Sequence, residues 1–173
     1  MRTRLPAYSW ILAAAALMIG PSIAIASPPA PVNFAVRLSG SEEVPPRDTP
    51  GRGQAVFQVS QDGTEIRYFL VVANIDNVVA SHIHSAPVGV NGPVVAFLAG
   101  PFASGGGPSK GILAEGVITA TNLVGPLAGH PLGDLIAAMQ SGDTYVNVHT
   151  NDGVAPTNTG PGDFPGGEIR GQI

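Results

Sequence analysis

The sequence of 173 residues contains no cysteine and has few charged or aromatic residues. Without cysteine, the chain can form no disulfide, no thiolate metal site, no cysteine nucleophile and no lipidated cysteine. Eight basic and twelve acidic residues give a net charge of −4 without any basic run, so the charge pattern of a nucleic-acid-binding protein is missing. The phosphate-loop, dinucleotide and nucleophile-elbow motifs are missing as well, which favours a non-enzymatic protein.

Residues 1–26 have the features of a secretory signal peptide. Arg2 and Arg4 precede a run of ten apolar residues at 10–19, and Ala24 and Ala26 provide a small-residue cleavage site. This run is about half of the roughly 20 residues that a membrane-spanning helix needs. We therefore predict export to the periplasm, the cell surface or the exterior, with no stable membrane span after the leader is removed.

The predicted mature chain is more acidic than the whole sequence. Removal of 26 residues, two of them basic, from 173 leaves 147 residues with a net charge of −6. We predict a short linker at 27–31 and one domain at 32–173, because a chain of this length has room for a single compact core.

Glycine and proline occupy 40 of the 173 positions, a share that approaches that of disordered chains. Most of them fall between short runs of alternating apolar and polar residues, which is the pattern of β-strands. A helical apolar spacing occurs only at 132–140. The sequence therefore predicts an all-β, antiparallel Greek-key sandwich or barrel, immunoglobulin-like or superoxide-dismutase-like, with one short helix. The predicted strands are 32–38, 53–60, 65–73, 80–84, 94–98, 112–120, 144–149 and 168–173.

Three of the four histidines lie in two of these strands. His82 and His84 share a face with their Cα atoms about 6.6 Å apart, and Tyr145, Asn147 and His149 share a face of another strand. If the two strands are neighbours, three imidazoles meet in a site that suits Zn or Cu. Neutral imidazole is the ligand form, so affinity for such an ion is expected to fall below about pH 6.5. The alternative is that these imidazoles hydrogen-bond to neighbouring loops and fix the strand ends.

The sequence contains four ordered motifs: LSGSEEVPP at 38–46, HIH at 82–84 with GVNGPVV at 89–95, GDTYVNVHT at 142–150 and GEIRGQI at 167–173. Together they resemble the motifs of the CHRD domain, the module named after chordin. The resemblance covers about 33–173 and implies an extracellular β-sandwich or barrel. In animals the module occurs in tandem within an antagonist of bone morphogenetic proteins, whereas stand-alone bacterial members are exported proteins whose role is generally unassigned. A single copy behind a leader fits the second situation.

The charged residues of these motifs suggest structural roles. Glu42 and Glu43 are adjacent, so on a strand they would face opposite ways and could not act together on one bond. Glu168 and Arg170 would share a face, and Arg170 is a candidate ion-pair partner for Glu42 or Glu43.

The turn after the histidine strand is the other motif with a predicted role. In the segment Asn91-Gly92-Pro93, we expect Gly92 to permit a left-handed turn. His130 lies in a different turn and is predicted to be solvated.

Two functional hypotheses stay open at this point. The first is a non-enzymatic exported binding or structural module that meets a protein or glycan partner and needs no cofactor. The second is a Zn- or Cu-binding protein, or a metalloenzyme, with His82, His84 and His149 as ligands. The H-x-H pair is also similar to that of copper/zinc superoxide dismutases, but the other ligand motifs and the disulfide of those enzymes are absent.

Overall fold

The computed structural model describes residues 32–173, so the predicted signal peptide at 1–26 and the linker at 27–31 lie outside the described residues. Alternating apolar residues produce eight strands, as predicted, and one α-helix. The strands are β1 Asn33–Ser39, β2 Arg52–Val59, β3 Ile66–Asp76, β4 Val78–Ser85, β5 Val94–Ala99, β6 Pro108–Ile118, β7 Thr144–Thr150 and β8 Ile169–Gln172, and the helix is α1 Leu132–Ser141.

All eight strands belong to one antiparallel sheet, in the order β5-β4-β7-β8-β1-β2-β3-β6. The two edge strands, β5 and β6, approach each other, and the hydroxyl of Tyr68 on β3 donates a hydrogen bond to the carbonyl of Leu98 on β5 at 2.8 Å. The sheet is therefore a nearly closed barrel. This confirms the predicted all-β antiparallel class with one short helix, in the barrel form.

The inner face of the sheet carries the hydrophobic core. Phe57, Leu70, Ile83 and Val148 are fully buried there, each from a different strand. Burying such a side chain contributes about 1.5–3 kcal/mol, so the barrel interior supplies the main stabilising term of a domain that has no disulfide. The tight connection between β2 and β3 contains Gly63, whose φ of 71° a side-chain-bearing residue adopts at a cost.

The α-helix agrees with its prediction to within one residue. Its apolar positions Leu132, Leu135 and Met139 are buried in the core. Gly142 ends the helix in a left-handed conformation with φ of 77°. In the part of the chain that the structure describes, no helix is both long enough and apolar enough to cross a membrane.

Strands β4, β7 and β8 differ from the rest because their outer face is polar and partly buried. Ile83, Val146 and Ile169 point to the core, whereas the residues between them point outward. Loops cover much of this outer face, so several polar side chains on it are buried. We call this face, formed by His82, His84, Tyr145, Asn147, His149, Arg170 and Gln172, the polar face.

Candidate metal centre

The pairing of β4 with β7 brings the three predicted histidines together. In this antiparallel register His84 lies opposite Tyr145 and His82 lies opposite Asn147. His149 lies opposite Ala80, two residues before His82 along β4. Side chains of residues that are paired across strands point to the same face of a sheet. The strand alternation predicted from the sequence therefore holds, and the sheet order adds the neighbour relation that the sequence left open.

The ring nitrogens of the three histidines lie within metal-binding reach of one another. One nitrogen from each imidazole can be chosen so that no two are more than 4.8 Å apart. Nδ1 of His82 and Nε2 of His149 are separated by 3.1 Å. In residues 32–173 this is a cluster of three histidines without an acidic member.

Loop carbonyls fix the orientation of two of these rings. Nδ1 of His84 donates to the carbonyl oxygen of Gly92 at 2.9 Å, and Nδ1 of His149 donates to that of Pro165, also at 2.9 Å. In a neutral imidazole the other nitrogen, Nε2, is then unprotonated, and its lone pair can accept a hydrogen bond or bind an ion. A carbonyl that holds Nδ1–H in this way is the usual outer partner of a metal-bound histidine.

The hydrogen bonds also determine the tautomer of His82. Because Nε2 of His149 is an acceptor, Nδ1 of His82 must donate to it, which leaves Nε2 of His82 unprotonated. An ion bound through Nδ1 of His82 would replace the Nδ1 proton, and the neutral ring would then carry its proton on Nε2 instead. Nε2 of His84 is buried and has no hydrogen-bond partner in the described structure.

Burial keeps the three imidazoles in the neutral form that binds metal. Desolvation, together with the neighbouring imidazoles of His149 and His84, lowers the pKa of His82 from 6.5 to about 4. Desolvation also lowers the pKa values of His84 and His149, and their hydrogen bonds to loop carbonyls oppose this in part. Protons should therefore compete with an ion at a lower pH than the value of about 6.5 expected from the sequence.

Gly92 fits closely against strand β4, and this corrects its predicted role. Gly92 does not adopt a positive φ, whereas Gly89 does, with a φ of 78°. A Cβ atom on Gly92 would lie 2.0 Å from the carbonyl oxygen of Ser85, so close approach to the backbone explains the glycine. The amide of Gly92 donates to the hydroxyl of Tyr145 at 3.1 Å, and the Tyr145 ring stacks on His84 with centroids 4.8 Å apart.

Glu43 and Asn147 form a buried pair on the polar face. Glu43 is 4% exposed, and its Oε2 accepts a hydrogen bond from Nδ2 of Asn147 at 3.2 Å. Gly167 closes over both side chains, since a Cβ there would lie less than 3 Å from each of them. Desolvation raises the pKa of Glu43 from 4.5 to about 7, although the charges of Arg170 and Arg47 act in the opposite direction.

Arg170 is buried without the ion pair that the sequence suggested. Within residues 32–173 it makes no salt bridge with Glu42 or Glu43, and Glu42 is exposed. Its guanidinium lies 3.4 Å from the centre of the Tyr145 ring. It donates to Oδ1 of Asn91 at 3.2 Å and to the carbonyl of Val90 at 3.0 Å. Arg170 therefore ties the loop before Gly92 to the sheet.

Glu168 lies in a separate buried network. It is fully buried and accepts hydrogen bonds from the hydroxyls of Thr49 and Thr150, at 2.5 and 2.6 Å, and from the amide of Gly162 at 2.8 Å. These bonds hold the loop 151–166 against the end of β7. The two threonines were not singled out from the sequence, because neither Thr49, in the loop before β2, nor Thr150, at the end of β7, belongs to a pattern that signals such a role.

The fourth histidine is separate from the cluster. His130 is exposed, as predicted, and its Nδ1 lies 2.8 Å from Oδ2 of Asp134 at the start of α1. It serves as an internal comparison for the three histidines on the polar face.

The fold and this site define a class of protein: a single β-barrel domain with three neutral histidines on a loop-covered polar face. A family model, CHRD domain, matches residues 34–173, and the chain belongs to that family. This confirms the resemblance found in the sequence motifs. Neither a curated protein nor a solved structure matches the chain.

Proposed function

We propose that this protein is an exported CHRD module that binds one Zn or Cu ion through His82, His84 and His149. The observation that carries the proposal is the pre-orientation of the cluster: carbonyls hold the rings of His84 and His149 through Nδ1, so that Nε2 of each ring is unprotonated and faces the cluster. Nε2 of His84 is moreover a buried acceptor without a partner. Leaving such a group unpaired costs about 1–3 kcal/mol, and a bound ion would supply the missing partner.

The distances need only a small adjustment to suit an ion. A tetrahedral ion with bonds of about 2.1 Å to nitrogen holds its ligand atoms about 3.4 Å apart. Nδ1 of His82 and Nε2 of His149 are already 3.1 Å apart, and the widest of the three separations, at most 4.8 Å, would close by about 1.4 Å.

The donor set favours particular ions. Three imidazole nitrogens without a carboxylate suit Zn and Cu, whereas Ca and Mg prefer oxygen ligands. For a given set of nitrogen ligands, Cu²⁺ binds more tightly than Zn²⁺.

Elemental analysis of protein purified without an affinity tag tests the proposal. We expect one equivalent of Zn or Cu in the wild type after exposure to the ion and gel filtration. The variant His149→Ala should lose it, and His130→Ala should retain it because His130 lies outside the cluster. Equal metal content in the two variants would contradict the proposal, and so would a metal-free wild type.

Thermal unfolding provides an independent measure of the same ion. At 100 times the dissociation constant, a bound ion adds about 2.7 kcal/mol of stability. For a domain of this size that corresponds to a rise in Tm of about 9 °C, given an unfolding entropy of about 2.1 cal/mol/K per residue. The rise should disappear in His149→Ala and persist in His130→Ala.

Export and partner binding are the wider parts of the proposal. Export rests on the leader features of residues 1–26, and membership of the CHRD family is in keeping with a non-enzymatic module. The protein or glycan partner stays a prediction.

A further inference from the structure

We propose that the ion held by the three histidines keeps one coordination position open to solution and that this position takes a small anion. The inference rests on the proposed function, since it requires the ion. It adds the class of ligand that the loaded site would bind: an anionic oxygen or nitrogen donor, such as a carboxylate, hydroxide or azide.

The first argument is charge. The three ligands are neutral, so a divalent ion would keep its full charge. Within residues 32–173 the metal-binding cluster includes no carboxylate, and the positive charge of Arg170 acts on His84. The positive charge of Arg170 adds to that of the ion. A net positive charge in a desolvated site attracts an anion more strongly than it attracts water.

The second argument is access. His82 is only partly buried, and its ring meets the edge of Phe97 on β5 with centroids 4.8 Å apart. Phe97 is 53% exposed, so one side of the cluster borders solvent. Zinc sites with three protein ligands keep the fourth position for water or substrate.

The neighbouring polar groups do not remove the charge. Oδ1 of Asn147 is buried without a partner on the same face, but it is a neutral oxygen. The hydroxyl of Tyr145 accepts a hydrogen bond from the Gly92 amide. Glu43, the buried acid on this face, accepts a hydrogen bond from Asn147, and its charge is not among those that act on the three histidines.

Azide is a suitable probe because it gives a charge-transfer absorption band when it binds Cu²⁺. The purified protein is loaded with one equivalent of Cu²⁺, passed through gel filtration and titrated with sodium azide at constant ionic strength. We expect a saturable new band of one azide per copper, with the copper still bound after a second gel filtration.

Two glutamate substitutions at exposed positions test the charge argument. Phe97→Glu places a carboxylate beside His82 and should weaken azide binding by about ten-fold or more, because it cancels part of the local positive charge. Val117→Glu is the matched control: Val117 is also exposed, and it lies opposite Arg67 on the β3–β6 pair. It should leave azide affinity unchanged.

The outcomes separate this inference from the proposed function. Failure to retain copper would overturn both. Retention of copper without any azide band would overturn the inference alone, as would release of the copper by azide. Equal azide affinity in Phe97→Glu and the wild type would refute the charge argument on which the inference depends.

Discussion

The buried carboxyl group of Glu43 allows a quantitative test of how the polar face is held together. Replacing it in the variant Glu43→Gln keeps the size of the side chain and its ability to pair with Asn147, but removes the titration. The folded protein holds the pKa of Glu43 at about 7, whereas in the unfolded chain it has its ordinary value of 4.5. Between these values the folded state binds more protons than the unfolded state, so wild-type stability falls as the pH rises.

The magnitude follows from the two pKa values. At 1.36 kcal/mol for each pH unit, the full difference corresponds to about 3 kcal/mol, and about 2.5 kcal/mol of it falls between pH 5 and pH 8. The contribution is fully present below pH 4.5 and is lost as the pH rises through 7. Glu43→Gln should therefore match the wild type below about pH 4.5 and be more stable by about 3 kcal/mol at pH 8.

Urea unfolding followed by circular dichroism, with a chelator present, measures this difference. The histidines contribute equally to both proteins, so their titration cancels when the two free energies of unfolding are subtracted at each pH. Glu42→Gln is the control, because Glu42 is the exposed neighbour and lies outside the buried pair with Asn147. A parallel pH dependence of Glu43→Gln and the wild type would refute the explanation by burial.

Two further predictions concern the groups around the histidines. Gly92→Ala should destabilise the protein by about 1–3 kcal/mol and weaken metal binding by about ten-fold or more, because the loop that orients His84 must move. Urea unfolding and titration calorimetry with Zn²⁺ measure both effects. The comparison variant Gly133→Ala, where a Cβ meets nothing within 4 Å, should show neither, and unchanged affinity in Gly92→Ala would contradict the role of this loop. Because the pKa of His82 is lowered to about 4, metal-free protein in the Glu43→Gln background should lose stability as the pH falls from 6.5 toward 4. A flat profile over that range would show that His82 is not desolvated.

The eight strands were predictable because each carries its own alternation of apolar and polar residues. The predicted ends of two strands were less accurate: β3 continues to Asp76 instead of ending at residue 73, and β6 begins at Pro108 instead of residue 112. Both extensions lie where β3 and β6 pair through a shift in register between Val72 and Ile75, next to Asn74 with a φ of 54°. Such irregularities depend on the partner strand, which the local pattern does not contain.

The three histidines of the candidate site could be predicted from the sequence, but the groups that bring them together and orient their rings could not. The H-x-H spacing placed His82 and His84 on one face, yet β4 and β7 are far apart in the sequence, and only the sheet order makes them neighbours. The carbonyls of Gly92 and Pro165 leave no trace in the sequence, because every residue has a carbonyl. The alternative that the imidazoles bond to loops is confirmed for His84 and His149, and these bonds leave their Nε2 atoms unprotonated.

Strand β5 is one of the two edge strands of the nearly closed barrel, and this position affects how an ion could reach the histidines. Within residues 32–173, β5 forms a strand ladder with β4 alone, apart from a single bridge between Ala96 and Leu123, and its register with β4 is interrupted on both sides of the pair His82 and Ile83. An irregular ladder at the edge of a sheet opens locally at a lower free-energy cost than an interior ladder. Local opening of this ladder beside His82 would widen the access of an ion to the histidines while the other strands keep their pairing.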